Sequence, residues 1–215
     1  MIEPGRSSAQ EERSEPARTR KPAAERRAEI VSVASEIALE DGLERITLRA
    51  VADRLGVRQG LIGHYFPAVG ELVAEAFTAA VTGERDRLVG ASGTPTERIA
   101  ALVRRVERQE SEGLARLWLN ARHLARRDDR LADVIEAQEA LDRARLEALV
   151  SEGIAAGEFP IADAGAACVR IFMAVDGFGA YANNPAAFDE PAYAHFVSDV
   201  AAWALGIGPA ALRAE

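Results

Sequence analysis

At 215 residues, 48% hydrophobic and 28% charged, the chain can form one ordinary domain, or a small one joined to a larger one, with a true core. Its apolar residues fall in short stripes with no run near the roughly 20 residues of a membrane span, and residues 1–21 lack the apolar stretch of a signal peptide, so a cytoplasmic protein is expected. One cysteine (Cys168, in an apolar helical stretch) and three scattered histidines (His64, His123, His195) offer neither a disulfide nor metal-ligand spacing, so no metal or cofactor is expected.

The formal charge of −8 is unevenly spread. Arg18 to Phe66 hold nine basic and seven acidic residues, a net +2 that leaves −10 on the remainder. A nucleic-acid partner needs a local basic surface rather than a basic whole, and an acidic body favours presenting the N-terminal end to it.

Residues 1–21 mix Glu, Arg, Ser and Pro with little to bury and read as a disordered arm. Pro22 suits a first helical turn, and Ile30, Val31, Ala34, Ile37 and Ala38 form one apolar stripe ending at Asp41-Gly42. Thr47 can cap a short second helix whose Leu48, Val51, Ala52 and Leu55 face inward, with Gly56 supplying the turn. A third helix runs through RQGLIGHYF to Pro67, and a long fourth spans about Ala68 to Leu88. Thr94 is a plausible cap for the next helix. Further helices are expected at about 95–110, 111–126, 129–156, 161–182 and 190–205, separated by Gly113, the 126–129 charge cluster, Gly157 to Pro160 and Asn183 to Pro185. The reading is all-α, with no internal repeat, an arm at 1–21, a helix-turn-helix head at 22–67 and a larger body at 68–215.

Three short helices with a Gly-Val turn between the second and third have helix-turn-helix spacing, which lays the third across the second so that its outer face can enter a major groove. That face is Arg58, Gln59, Gly60, Gly63, His64 and Tyr65, opposite Leu61 or Ile62 and Phe66. Arg can fork onto guanine and Gln onto adenine, and glycine lets backbone approach DNA. Two glycines in one helix cost about 1 kcal/mol each, so something other than stability placed them there. The bland alternatives are a generic three-helix bundle, solvated Arg58 and Gln59, and a surface or capping His64.

Residues 27–77 resemble the N-terminal domain of the TetR family of repressors through Arg27, Ile30, Ala34, Gly42, Thr47, Ala52, Gly56-Val57, Gly60, Tyr65-Phe66 and Glu71-Leu72. LIGHYF, Leu117-Trp118-Leu119 and Asp176-Gly177 are similar to the betaine-responsive (BetI-like) branch. The resemblance implies a nine-helix TetR-type fold and a homodimer binding an inverted-repeat operator in double-stranded DNA. It also implies release of that DNA by a small-molecule effector. Phosphate contacts would come from Thr47, His64 and Tyr65, and base-edge contacts from Arg58, Gln59 and Gly60. Three positions depart from the family: Arg58 replaces a capping Ser or Thr, Gly63 replaces a frequent Tyr, and Val69 replaces a Lys. Arg18, Arg20 and Lys21 of the arm are the candidates to compensate for that lost charge.

In the body, the candidate pocket residues are Phe77, Trp118, Asn120, His123, Phe172, Met173 and Asp176, with core packing as the alternative for the apolar ones. Ile171, Val175, Phe178, Phe196, Val200 and Trp203 are read as a dimer surface on the last two helices, although they could instead close the monomer core. The sequence has no nucleophile elbow, phosphate loop or paired carboxylates placed for catalysis, so a helical enzyme is the weaker rival. A TetR-like scaffold acting through protein partners is the other. Choline-type ligands require an aromatic cage, and 6% aromatic content gives little to build one.

Overall fold

The computed structural model describes residues 22–89, 92–110, 112–181, 184, 188 and 190–213; the predicted arm at 1–21, with Arg18, Arg20 and Lys21, lies outside them. The described residues are helical, without strands, and form eleven α-helices where nine were expected. The surplus comes from a break that splits the expected 190–205 helix into α9 (Pro191–Ala194) and α10 (Phe196–Leu205), and from α11 (Ala210–Arg213).

The head is built from α1 (Ala23–Asp41), a 3-10 turn (Leu43–Arg45), α2 (Leu48–Leu55) and α3 (Gln59–Tyr65). The Thr47 hydroxyl accepts from the Ala50 amide at 3.0 Å and opens α2. Gly56 closes α2 in the left-handed conformation (φ 64°, ψ 35°), a position that favours glycine. Arg58 occupies the N-cap of α3 and makes no side-chain cap bond, consistent with a charged residue where a hydroxyl would cap.

The body comprises α4 (Val69–Val89), α5 (Pro95–Glu107), α6 (Glu112–Leu124), a second 3-10 turn (Ala125–Arg127), α7 (Asp129–Ala155), α8 (Ala164–Gly179) and α9 to α11. Thr94 and Glu97 form a reciprocal capping box on α5, and Asp128 and Asp163 cap α7 and α8. Glu158 accepts from both the amide (2.9 Å) and the hydroxyl (2.6 Å) of Thr96, tying the α7–α8 connection to the start of α5.

Two buried clusters hold the chain together. The first includes Ile30, Ala34, Val51, Ile62 and Phe66 of the head and continues through Leu72 and Phe77 of α4, Leu117 and Ala121 of α6, and Leu131 of α7. Apolar packing therefore does not stop at residue 67. The second joins α5, α7, α8 and α10 around Ile99, Val150, Phe159, Ile171, Val197 and Leu205. Phe159 packs against Gly153, where a Cβ would come within 2.1 Å of its ring. Cys168 is a core residue; burial first, then the nearby Glu147 charge, pushes its thiol up to about 11.

Candidate nucleic-acid interface and body cavity

The third helix presents two unlike faces. Ile62 and the following Phe66 are fully buried, whereas Arg58, Gln59, Gly60 and His64 are exposed and Gly63 and Tyr65 half-buried. Of the two residues offered for the inner face, Ile62 is the buried one and Leu61 sits at the margin. A Cβ at Gly60 would meet nothing within 4 Å, and one at Gly63 only the Leu48 side chain at 3.8 Å. Packing inside the protein therefore requires neither glycine. Thr47 stands exposed at the start of α2, and its capping role leaves the hydroxyl proton free to donate outward. The His64 and Tyr65 rings meet edge to face at 5.4 Å.

Arg27 clamps this head to α4. Its guanidinium lies 4.5 Å over the Phe66 ring, pairs with Glu75 and reaches Glu71 at 3.4 Å. The hydrogen bond that Arg27 donates to Glu75 raises its pKa further, so the clamp stays charged. Glu71 and Glu75 stand one helical turn apart on α4, a spacing visible in the sequence, but nothing local identifies their partner.

A cavity of about 960 Å³ opens in the body, walled by α5, α6, α7 and α8 with Val81 and Arg85 from α4. Four of the seven predicted pocket residues line it: Trp118, Phe172, Met173 and Asp176. Phe77 does not; it is fully buried behind Trp118, ring edge to face at 5.0 Å. His123 is exposed on another face of α6. Asn120 points to the head, accepting from the Leu43 amide at 2.9 Å and donating to Glu44 at 2.8 Å. Residues 118, 120 and 123 of one helix thus face the cavity, the head and solvent, as a 100° step per residue dictates.

The polar side of the cavity is an ion-pair group that sequence reasoning reached only through Asp176. Arg122 binds Glu139 and Asp176, each at 3.0 Å, and sits 5.2 Å over the Trp118 ring. Burial pulls the Arg122 pKa down, and the two carboxylates more than offset it. Arg85 pairs with Asp142 and donates to the Gln138 carbonyl at 3.2 Å. Also on the cavity wall, Phe178 stacks on Tyr193 at 4.8 Å, and burial raises the Tyr193 hydroxyl pKa.

The predicted dimer residues divide in two. Ile171 and Phe178 are buried within one chain and line the cavity, a correction with a plain cause: α8 is apolar nearly all round, so periodicity alone cannot assign its faces. Val175 is half-buried and also lines the cavity, and Val200 is half-buried. Phe196 (42% exposed) and Trp203 (68%) project from α10, beside Val169 (53%) and Met173 (61%) of α8. Arg170 lies 4.8 Å over the Trp203 ring.

The family model for bacterial regulatory proteins of the tetR family matches residues 30–76, the segment carrying the helix-turn-helix. Residues 30–76 thus carry the helix-turn-helix domain of that family. The chain is also similar to the HTH-type transcriptional repressor KstR of Mycobacterium tuberculosis, 33% identical over 87 residues, or 39% of this chain. That match spans 40% of KstR's length. The fold is similar to that of a putative transcriptional regulator from Saccharomonospora viridis in complex with choline (TM-score 0.68, 18% identity, 82% of this chain and 95% of that one). It is also similar to the transcriptional regulator FadR from Bacillus subtilis in complex with stearoyl-CoA (TM-score 0.64, 20% identity, 84% of this chain and 99% of that one). At such identities the TetR-type likeness of the body is one of fold. Among the described residues, no helix is long and apolar enough to cross a membrane.

Proposed function

We propose that this chain is a ligand-responsive DNA-binding transcriptional regulator, a cytoplasmic repressor that grips an inverted-repeat operator as a homodimer. The observation that carries this is the outer face of α3. Arg58, Gln59, Gly60 and His64 are exposed there, and a Cβ at either glycine would fit, with open space at Gly60 and only an ordinary contact to Leu48 at Gly63. A helix that forgoes Cβ atoms at about 1 kcal/mol each, on a face it does not pack, suits close approach to a DNA backbone. Arg58 and Gln59 would read base edges, with Thr47, Gly63, His64 and Tyr65 positioned on phosphate and sugar.

Two stripes, Val169 and Met173 of α8 and Phe196 and Trp203 of α10, support a dimer in which these helices from two copies form a four-helix bundle. The dimer would set two recognition helices one DNA turn apart, about 34–36 Å. The cavity would hold the effector; the FadR and Saccharomonospora neighbours are structures in complex with stearoyl-CoA and choline. Trp118 and Arg122 touch it, Phe77 of α4 backs Trp118, and Asn120 of the same α6 grips the head. Ligand entry would therefore act on α4 and α6 together, with a coupling of about 1–3 kcal/mol.

A gel shift with the DNA upstream of its own gene tests the reading at low salt. Arg58→Ala with Gln59→Ala should abolish the shift while dimerisation persists. Intact biological activity in that double variant would instead favour a scaffold acting through protein partners.

A further inference from the structure

The walls of the cavity are charged but balanced. Arg122 is held by Glu139 and Asp176, each at 3.0 Å, Arg85 by Asp142, and Arg98 by Glu152 at 2.9 Å, while Glu112 is engaged by Arg116. Arg105 and Arg145 are engaged too, and Arg143 stands exposed, where water screens its charge. Most of the wall surface is apolar, and each enclosing helix contributes to it: Val106 from α5, Leu119 from α6, Leu149 from α7 and Phe172 from α8. A charged ligand group placed among these pairs would have to break one to find a counter-charge, and would leave the displaced partner without its own.

One lining residue stands in a conformation that its turn does not require of a side chain. Gln109, between α5 and α6, has φ 56°, alone among the described non-glycine residues in being positive. The turn closes α5 through main-chain bonds, from the Gln109 amide to the Val106 carbonyl at 3.0 Å and from the Glu110 amide to the Arg105 carbonyl at 3.1 Å. Glycine is the usual residue at that position and would hold it without strain. This chain instead carries there a side chain that both donates and accepts. Gln109 is solvent-exposed as well as part of the lining, so it marks where the cavity meets the surface.

Resting on the reading of this cavity as the effector site, we propose that it takes a large, uncharged, mostly apolar molecule with one hydrogen-bonding group, which Gln109 meets at the entrance. The volume of about 960 Å³ lies near the top of the range of about 300–1,000 Å³ for small-molecule sites. The apolar wall rewards burial of a hydrocarbon body, and the paired wall charges penalise an ion of either sign. Because an amide donates and accepts, a hydroxyl or a carbonyl on the ligand satisfies it.

The test is calorimetric titration of the full chain with 1-decanol, decanoate and decyltrimethylammonium, probes of one chain length, kept below their solubility and micellar limits. 1-Decanol should bind at least tenfold more tightly than either ion. It should also exceed 1-octanol about tenfold or more, from about 0.8 kcal/mol per buried CH₂. Gln109→Leu should weaken 1-decanol about two- to twelvefold, the equivalent of a net hydrogen bond of about 0.5–1.5 kcal/mol. Gln109→Gly should weaken it equally while raising the melting temperature, whereas a residue serving only the turn would raise the melting temperature and leave affinity alone. Asp176→Asn with Glu139→Gln strips Arg122 of its carboxylates and should tighten decanoate tenfold or more; Asp176→Asn alone is the milder version should circular dichroism show the double variant unfolded. An ion bound as tightly as the alcohol, no gain of decanoate binding in the carboxylate variants, an affinity unmoved by the Gln109 substitutions, or no binding of 1-decanol would overturn the proposal. A gel shift separates this from the effector reading: 1-decanol that binds without releasing DNA keeps the ligand class and refutes the effector site, and release by an ion instead does the reverse.

Discussion

Asn120→Ala tests whether α6 holds the head in register with the body. Asn120 spans the seam twice, accepting from the Leu43 amide at 2.9 Å and donating to Glu44 at 2.8 Å. Leu43 is 1% exposed, so deleting its acceptor strands a polar N–H beside the core, at a cost of about 1–3 kcal/mol. The Glu44 contact is solvent-exposed and adds only a few tenths of a kcal/mol. At about 2–4 °C per kcal/mol for a chain of this size, the variant should melt roughly 2–12 °C lower. Hydrogen exchange gives the sharper assay: the Leu43 amide should lose protection by about 5- to 150-fold, the same free energy expressed as an equilibrium. Asn120→Asp, which keeps an acceptor for Leu43 but repels Glu44, should fall between. If Asn120→Ala melts with the parent and Leu43 exchanges at the parent rate, the seam does not depend on this side chain and the account of α6 is wrong.

Other changes probe separate parts. Ile62→Ala opens a cavity under the recognition helix and should destabilise the head by about 2–5 kcal/mol in urea unfolding, since the side chain is fully buried. Trp203→Glu should yield a folded monomer in sedimentation, because in one chain the ring is largely solvent-exposed and only a partner copy would lose by it; an unchanged dimer would move the interface elsewhere. Glu158 has a lowered pKa, chiefly from the Thr96 hydroxyl and then its amide, so its ionised form stabilises the fold. Glu158→Gln should therefore melt below the parent at neutral pH, and the gap should close as pH falls through the depressed Glu158 pKa.

The head was legible in the sequence because its helices are amphipathic with one clear stripe. Ile30, Ala34, Ile37 and Ala38 are all buried as their spacing predicts, and Thr47, Gly56 and Thr94 carry the local chemistry of caps and turns. The body yielded its helices, with limits good to a few residues, but not its faces. In α8 a run of Ala, Val, Ile, Phe and Met offers no polar side to orient it, so Ile171 and Phe178 read like Met173 although only the last reaches solvent. Asn120 was misplaced for a different reason: its partners lie more than seventy residues away, and a lone Asn on a helix announces no direction. Nor could spacing reveal a slot, which is a property of what four helices leave unfilled.

The length of α4 has a mechanical consequence. Its 21 residues make an arm of about 32 Å, and Arg27 fastens its first turns to the ring of Phe66, directly behind the recognition helix. Pivoted at the body end, a tilt of about 5° would sweep the head through about 3 Å over that length. In a two-fold dimer the two heads swing in opposite senses, so their separation would change by about 6 Å, nearly two steps of a 3.4 Å base-pair ladder. Few atoms need move near the cavity for the amplified displacement to spoil simultaneous seating in two grooves, and a stiff clamp at the far end ensures that little of the stroke is lost to play.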